Sequence, residues 1–206
     1  MKILLTSSQK GGSGKTTLCR ALAVAAEAKG ITPVCLVDTD PQGSLTSWWN
    51  RRGKEAPMLA SVPADKPGAA LAALRDHGVK LAIIDTPPSA HAFLEQLLEH
   101  ADLVLIPARP SPDDIDAIGA TLDLVERAGK PFAFVISQAK PRSRLAADAL
   151  PLLAQHGKVA PVIIHDRSEH PTASIAGLTV TETDPNGKAA AEVGELLAYV
   201  RKQIRI

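Results

Sequence analysis

Short runs of apolar, β-rich residues alternate along the chain with longer stretches in which apolar residues recur every three or four positions. The first pattern is typical of buried strands and the second of amphipathic helices. Their alternation predicts βαβ units, and therefore an α/β fold with a mostly parallel twisted sheet and helices on both faces. The predicted strands are residues 2–7, 33–38, 57–62, 81–85, 102–106, 132–137 and 160–164.

The helical pattern occupies the segments between and after these strands. In the last segment, apolar residues recur at helical spacing from Ala189 to Ile204, so one helix face is expected to pack on the body of the protein. The predicted helices are residues 15–29, 43–52, 67–77, 91–100, 113–128, 143–156, 168–176 and 186–204.

The composition is that of one domain. The chain has 206 residues, 45% of them hydrophobic, with no internal repeat and no low-complexity linker. This suffices to bury a sizeable core, so we predict a single domain over residues 1–206. Only 3% of the residues are aromatic, so aliphatic side chains must fill that core.

The charge, the cysteines and the hydropathy of the chain limit where the protein is expected to be located and which partners it is expected to bind. The formal net charge is +1, so any contact with nucleic acid must come from a local basic patch. Cys19 and Cys35 lie in apolar segments without metal-ligand spacing, which predicts buried, reduced thiols of a cytosolic protein. No run of about eighteen apolar residues and no secretory leader is found, so a cytoplasmic location is expected.

Residues 10–17 read Lys-Gly-Gly-Ser-Gly-Lys-Thr-Thr, directly after the first strand and at the start of the first helix. Glycines let successive backbone N–H groups point at phosphates, and the helix N-terminus adds partial positive charge. Lys15 is expected to reach the β- and γ-phosphates of ATP, and the Thr16 hydroxyl to bind Mg²⁺. The predicted nucleotide ligands here are Lys10, Gly11, Gly12, Ser13, Gly14, Lys15, Thr16 and Thr17.

The loop departs from the common pattern G-x-x-x-x-G-K-[ST], because Gln9 stands at the first glycine position and Lys10 follows it. In this form it resembles the deviant phosphate loop of the ParA/MinD ATPases. The resemblance implies a P-loop fold and a homodimer that sandwiches two ATP molecules, in which Lys10 crosses to the partner's nucleotide and acts in catalysis. The alternative is a glycine-rich turn with two surface lysines.

Two carboxylate-bearing segments follow the second and fourth strands. Asp38 to Ser44 resembles the first switch of the same family, which implies that Asp40 orients the attacking water and that Asp38 lies near the water shell of the metal. Residues 81–88 form an apolar strand that ends in Asp85-Thr86-Pro87-Pro88, which resembles the Walker B strand and second switch. Asp85 is accordingly expected to hold Mg²⁺, through water. The alternatives are an ordinary strand-end turn and a buried strand before a proline turn.

The contacts to adenine are expected to differ from those of the family. Ser137 stands where many relatives have an asparagine that reads the base, so recognition is assigned to Gln138. Residues 164–167 occupy the loop that closes over the base in relatives, which adds Ile164 and Asp166 to the predicted ligands. His165 and His170 have no cysteine or carboxylate grouping around them and are expected to be surface histidines rather than metal or acid–base residues.

The resemblance points to the short ParA type, because the phosphate loop begins at residue 10 and leaves no room for an N-terminal helix-turn-helix domain. Short relatives bind DNA non-specifically as ATP dimers, position cargo on the nucleoid, and release it when an activator of the ParB type stimulates slow hydrolysis. The candidate DNA-binding residues are Lys140, Arg142, Arg144, Arg167, Lys188, Arg201, Lys202 and Arg205.

Three alternatives remain. A MinD-like membrane helix is disfavoured because the apolar residues of the last helix are needed by the core. A metabolic enzyme on the same fold, such as an ATP-using carboxylase or amide-forming ligase, is expected to need a further cluster of polar substrate-binding residues, which is not found. An iron–sulfur carrier needs cysteines after residue 85, and the chain has none there.

Overall fold

The computed structural model describes residues 1–88 and 91–206, and its centre is a seven-stranded, all-parallel sheet with the order β3-β2-β4-β1-β5-β6-β7. The strands are β1 (Lys2–Thr6), β2 (Val34–Asp38), β3 (Met58–Ala60), β4 (Leu81–Asp85), β5 (Leu103–Ala108), β6 (Phe132–Ala139) and β7 (Ile164–His165). The first six predicted strands are present, with ends that shift by a few residues.

Helices connect the strands. They are α1 (Lys15–Ala28), α2 (Ser44–Arg52), α3 (Pro67–Asp76), α4 (His91–Leu98), α5 (Pro112–Asp116), α6 (Gly119–Arg127), α7 (Arg144–Ala154), α8 (Glu169–Ile175), α9 (Val180–Thr183) and α10 (Lys188–Ile204). The prediction of one helix over 113–128 is wrong. The chain turns at Ala117 and Ile118, where Ile118 N bonds to Ile115 O, and Gly119 begins a new helix. The short helix α9, held by a capping box between Thr179 and Glu182, was not predicted.

Strand β7 is the other departure. It was expected over 160–164, and Ala160 N does bond to Phe134 O of β6 at 2.8 Å. Proline has no N–H to donate, so the pairing is interrupted at Pro161 and resumes only at Ile164.

Two aliphatic cores cover the two faces of the sheet, because successive strand residues point to opposite sides. Leu4 of β1 packs in the core beneath α1, α2 and α10, whereas Ile3 and Leu5 pack in the core beneath α3, α4, α6 and α7. This confirms the predicted α/β class with helices on both faces. The apolar face of α10 is buried in the first core, as expected. None of the described helices is long and apolar enough to span a bilayer.

The two cysteines are both buried and unpaired, as predicted. Burial raises the pKa of Cys35 to about 11 and that of Cys19 well above its usual value.

The strand order positions the site. From β1 the chain runs to β2 and β3 on one side, whereas β5, β6 and β7 extend the sheet on the other. In parallel sheets the crevice at the carboxyl ends beside such a reversal is where ligands bind. The loops after β1, β2 and β4 therefore lie side by side at this edge.

Candidate functional site

The loop between β1 and α1 curls over the start of α1. Gly12 and Gly14 have φ angles of 71° and 97°, in the left-handed region where a side chain is strained, and Gly14 precedes the first helical residue. The Lys15 ammonium is buried and donates to the Ser8 carbonyl at 3.0 Å. Burial lowers its pKa, and the nearby Asp85 and Asp40 act in the opposite direction.

Side chains at the ends of β5 and β6 hold the carbonyls of this loop. Gln138 Nε2 donates to Gly12 O at 2.6 Å, Arg109 Nη2 donates to the same oxygen, and Ser137 Oγ donates to Ser13 O at 2.8 Å. Carbonyl and N–H of a trans peptide point in opposite directions, so the Ser13 and Gly14 N–H groups are turned away from these side chains. The loop is therefore fixed in an anion-binding orientation.

The side chains that hold the loop include residues for which other roles, or none, were predicted. Arg109, which follows β5, was not among the predicted site residues. Gln138 was expected to contact adenine, yet its amide nitrogen is bonded to the phosphate loop, and Ser137 shares that task. A Cβ on Gly12 would lie 2.8 Å from Arg109 Nη2, and the φ angle of 71° would strain any other residue, so glycine favours this close approach.

Asp85 and Thr16 form the part of the site that fits Mg²⁺. Asp85 is 1% exposed, its Oδ2 accepts from Thr16 Oγ1 at 2.6 Å, and its buried Oδ1 has no hydrogen-bond partner among the described residues. Burial raises the pKa of Asp85 to about 6, reinforced by the charge of Asp38 and opposed by the Thr16 hydrogen bond. The described residues form no group of three or more His, Cys, Asp or Glu side chains that could hold a metal ion.

Asp38 has a structural task at the start of α2. Its Oδ2 accepts from Thr46 N and Thr46 Oγ1, both at 2.8 Å, and its Oδ1 accepts from Asp40 N at 3.2 Å. It faces Asp85 on the adjacent strand, because the register pairs these two residues. A role for Asp38 in the metal's water shell stays a prediction.

Asp40 lines the same cavity as the phosphate loop, where its Oδ1 accepts from Gln42 N at 2.9 Å. The neighbouring Thr39 Oγ1 donates to Asp85 O at 2.7 Å, which ties this loop to the end of β4. The loop after β2 is therefore joined to the carboxyl end of β4.

Lys10 points away from that cavity. Its ammonium is 3.1 Å from Asp114 Oδ1 of α5, and Asp114 is buried and bonded to Ser111. The predicted contact of Lys10 with a partner's nucleotide stays a prediction, and in one protomer the lysine is held by its own chain.

The cavity over the phosphate loop has a volume of about 660 Å³, and a smaller cavity of about 230 Å³ adjoins it. The smaller one is lined by Gln138, Ile164, Asp166 and His170, together with Thr17, which lines both. The structure thus brings the predicted adenine contacts together at one end of the phosphate cavity. Whether they read the base stays a prediction.

The two histidines near this smaller cavity are half-buried rather than exposed, so the expectation of surface histidines is wrong. Glu192 of α10 accepts from His165 Nδ1 at 2.7 Å and from Arg167 Nη2 at 2.6 Å. Burial lowers the pKa of His170, and its buried Nε2 has no partner among the described residues. Arg167 therefore anchors the loop after β7 to α10, and its guanidinium is less available to DNA than the other basic candidates.

The candidate DNA-binding residues do not form one patch. Helix α10 has 17 residues and is about 25 Å long, and it carries Lys188 at one end and Arg201, Lys202 and Arg205 at the other. Its C-terminal Ile206 lines a cavity with Met1, Lys2 and Lys80, at the amino ends of β1 and β4. We call Lys140, Arg142 and Arg144, which follow β6, the carboxyl-edge group, and Arg201, Lys202 and Arg205 the amino-edge group. Both groups are exposed and lie at opposite edges of the sheet.

The sequence family that matches this chain is one of nucleotide-binding domains, which agrees with the phosphate loop and cavity described above. The sequence family described as CobQ/CobB/MinD/ParA nucleotide binding domain matches residues 4–180. The chain is 32% identical, over 209 residues, to the maintenance of carboxysome distribution protein A of Halothiobacillus neapolitanus, which covers 96% of this chain and 95% of the relative.

Solved structures with the same fold include the cell division ATPase MinD of Pyrococcus furiosus, with a TM-score of 0.80, 17% identity and 98% of both chains covered. A variant McdA of Cyanothece in complex with ATP has a TM-score of 0.75 at 18% identity, over 100% of this chain and 97% of the other. At such identities the likeness bears on the fold alone.

Proposed function

The chain belongs to the CobQ/CobB/MinD/ParA nucleotide-binding family and is an ATPase of the ParA/MinD positioning type, and we propose that it is an ATP-driven dimerisation switch. ATP makes the dimer, the dimer binds DNA without sequence preference, and an activator carried by the cargo triggers hydrolysis and release. The observation that carries this proposal is the phosphate cavity, which is lined by Lys15, Asp40 and Pro88 from three adjacent loops.

Different residues of one protomer bind the triphosphate, hold the metal and orient the attacking water. The N–H groups of the phosphate loop and Lys15 bind the triphosphate, and Thr16 and Asp85 would hold Mg²⁺, which neutralises charge on the β- and γ-phosphates when bound. Asp40 orients the attacking water by accepting a hydrogen bond from it. Phosphoryl transfer asks the protein mainly for position and charge, so this small set suffices for slow turnover.

Dimerisation supplies what one protomer lacks. Lys10 lies at the outer side of the phosphate loop, and we propose that it leaves Asp114 to reach the partner's nucleotide. Since this cation stabilises the triphosphate only in the dimer, binding of ATP and self-association are linked.

The cargo is proposed from the relatives. The protein of H. neapolitanus that covers nearly the whole chain maintains carboxysome distribution, by its name, and a shorter match is a protein ParA of Rhizobium radiobacter. We propose that this chain positions a large cytoplasmic cargo on the nucleoid together with an activator of the ParB type.

The test is co-sedimentation with non-specific DNA in the presence of ATP, ADP or no nucleotide. The protein is expected to pellet with DNA only with ATP, and added salt should release it, because phosphate contacts release counterions. Lys15→Ala is expected to bind neither nucleotide nor DNA, while Lys80→Ala, which removes an exposed lysine at the other edge of the sheet, should behave as the parent. Binding that is equal in all three nucleotide states would contradict the switch, and turnover of a small metabolite without DNA would favour the metabolic-enzyme alternative.

The same assay separates the two basic groups. DNA binding that depends on ATP needs contacts near the nucleotide site, so alanine at Lys140, Arg142 and Arg144 should weaken binding and lower the slope of log affinity against log salt by about 1 per lost contact. Alanine at the amino-edge group serves as the matched comparison and is expected to change this slope less.

A further inference from the structure

Two arginines border the phosphate cavity without any carboxylate partner. Arg20 of α1 and Arg51 of α2 both line it, and neither forms a salt bridge within the described part of the chain. The neighbouring Arg52 differs, because it is paired with Glu182. The phosphate cavity therefore has two cationic side chains that no carboxylate of the described residues neutralises, beside an anion-binding loop.

The two guanidinium groups converge on one place. Arg20 Nη1 donates to Ser174 Oγ at 2.6 Å, and Arg51 Nη2 lies 3.5 Å from Ser174 O. Burial lowers the pKa of Arg20, and the charge of Arg51 lowers it further, whereas Asp85 acts in the opposite direction. Two like charges are thus held near one another by α1, α2 and α8.

The surrounding side chains are hydrogen-bond donors. Ser44, Ser47 and Arg51 are spaced three and four residues apart, so they lie on one face of α2, and all three line the cavity. Thr17 of α1 also lines the cavity, and its hydroxyl accepts from Arg20 Nη2 at 3.3 Å. Arginine forks and hydroxyl groups together are a donor set suited to phosphate.

The pair lies close to the point where the phosphate cavity meets the smaller cavity. Thr17 is the last residue of the phosphate loop and lines both the phosphate cavity and the smaller cavity beside Gln138. Arg20 follows it by one helical turn on α1. Arg20 therefore stands beside Thr17, where the two cavities meet, and Arg51 stands near it on the wall of the phosphate cavity.

We propose that Arg20 and Arg51 form a second phosphate-binding subsite at the nucleoside end of the phosphate loop. The proposal rests on ATP binding by that loop and extends it. The phosphate comes from one of two sources: the α-phosphate of the bound nucleotide, or a phosphate of a separate ligand that binds beside it. Because Arg51 belongs to the helix that follows Asp40, an anion held there also joins α2 to α1.

The variant Arg51→Ala tests the subsite, because Arg51 is exposed and its loss should not affect folding. Arg75→Ala is the matched control: Arg75 is also exposed and also lies in the last turn of its helix, so both variants lose the same favourable interaction with the helix C-terminus. Arg20→Lys, which keeps the charge and loses the fork, is the second variant. A thermal melt verifies that each variant folds.

Calorimetric titration with ADP and with inorganic pyrophosphate distinguishes the sources. If the α-phosphate occupies the subsite, Arg51→Ala weakens ADP binding by about 5- to 10-fold, and the loss shrinks at high salt. If a separate ligand occupies it, ADP binding is unchanged, and the ADP-saturated parent binds pyrophosphate whereas Arg51→Ala does not.

If Arg51→Ala binds ADP and pyrophosphate with the same affinities as Arg75→Ala, the proposed subsite is wrong and the ATPase proposal is unaffected. A parent protein that binds neither ATP nor ADP would instead overturn the proposed function. Pyrophosphate binding without nucleotide, compared between parent and Arg51→Ala, then decides the subsite alone.

Discussion

Lys10 and Lys15 stand five residues apart on one loop and face opposite ways. Lys15 is buried and directed at the carbonyl of Ser8, while Lys10 is 37% exposed at its side chain and is paired with Asp114 of α5. The first can act only on a nucleotide bound by its own chain. The second can act on another copy's nucleotide only when it leaves Asp114.

Asp40 is the residue on which hydrolysis is proposed to depend. Asp40→Ala is expected to bind ATP as the parent does, because Lys15 and the loop N–H groups are untouched, and to lose hydrolysis by about 100-fold or more. Phosphate release and nucleotide affinity are measured in parallel on the same protein. Asp76→Ala removes an exposed carboxylate at the end of α3 as control, and hydrolysis by Asp40→Ala at the parental rate would show that the catalytic assignment is wrong.

Helix α2, which follows Asp40, is fixed at both ends. Asp38 accepts two hydrogen bonds from Thr46 in its first turn. In its last turn Arg52, 4% exposed at its side chain, makes a bidentate contact to Glu182 of α9 at 2.8 and 2.9 Å and lies over the ring of Trp48. Movement of the loop after β2 is therefore confined to the few residues between Asp38 and Ser44.

Removal of Arg52 should destabilise the fold through Glu182. Arg52→Ala leaves that half-buried carboxylate without its main partner, which is expected to cost about 3–5 kcal/mol of unfolding free energy. Lys54→Ala, whose ammonium contacts the same carboxylate at 2.8 Å but is 53% exposed, should cost below about 1 kcal/mol. Urea unfolding measures the unfolding free energy of both variants. Equal losses of unfolding free energy would contradict the expectation that Arg52 is the main partner of Glu182.

The ion pair of Arg52 and Glu182 also makes the stability of the fold depend on pH. Burial raises the pKa of Glu182, but the hydrogen bonds from Arg52 and Lys54 outweigh it and hold the value at about 2, against 4.5 for the free side chain. A carboxyl with a depressed folded-state pKa contributes stability above its unfolded value and loses it as the pH falls. The parent should therefore lose more stability than Glu182→Gln between pH 4.5 and 2.

The sequence predicted those elements whose cause is local. The periodic apolar runs located the strands, and the loop from Lys10 to Thr17 was recognisable because its glycines and lysines are contiguous. The contacts of Gln138, Arg109 and Arg20 were not predictable, because each partner lies on another element. The same holds for the ion pairs of Arg52 and Arg167, whose carboxylates are 130 and 25 residues away.

At the scale of the molecule, the nucleotide site lies along one edge of the sheet and is open to solvent. Lys10, Asp40 and the carboxyl-edge group lie at this edge, whereas the amino-edge group lies at the other. A second copy that covers the site would bring its own Lys10 to the first copy's nucleotide. The two carboxyl-edge groups would then belong to one dimer, which raises avidity for DNA without new contacts.

The most direct test is sedimentation of the Asp40→Ala protein, which keeps its ATP, with and without Lys10→Ala. Asp114→Asn in the same background is the matched control, because it breaks the same ion pair and leaves Lys10 in place. With ATP and Mg²⁺, the Asp40→Ala protein and its Asp114→Asn derivative are expected to sediment as dimers, and the Lys10→Ala derivative as a monomer. If the Lys10→Ala derivative forms dimers at the same protein concentration as the Asp40→Ala protein, the proposed ATP-driven dimerisation switch is contradicted.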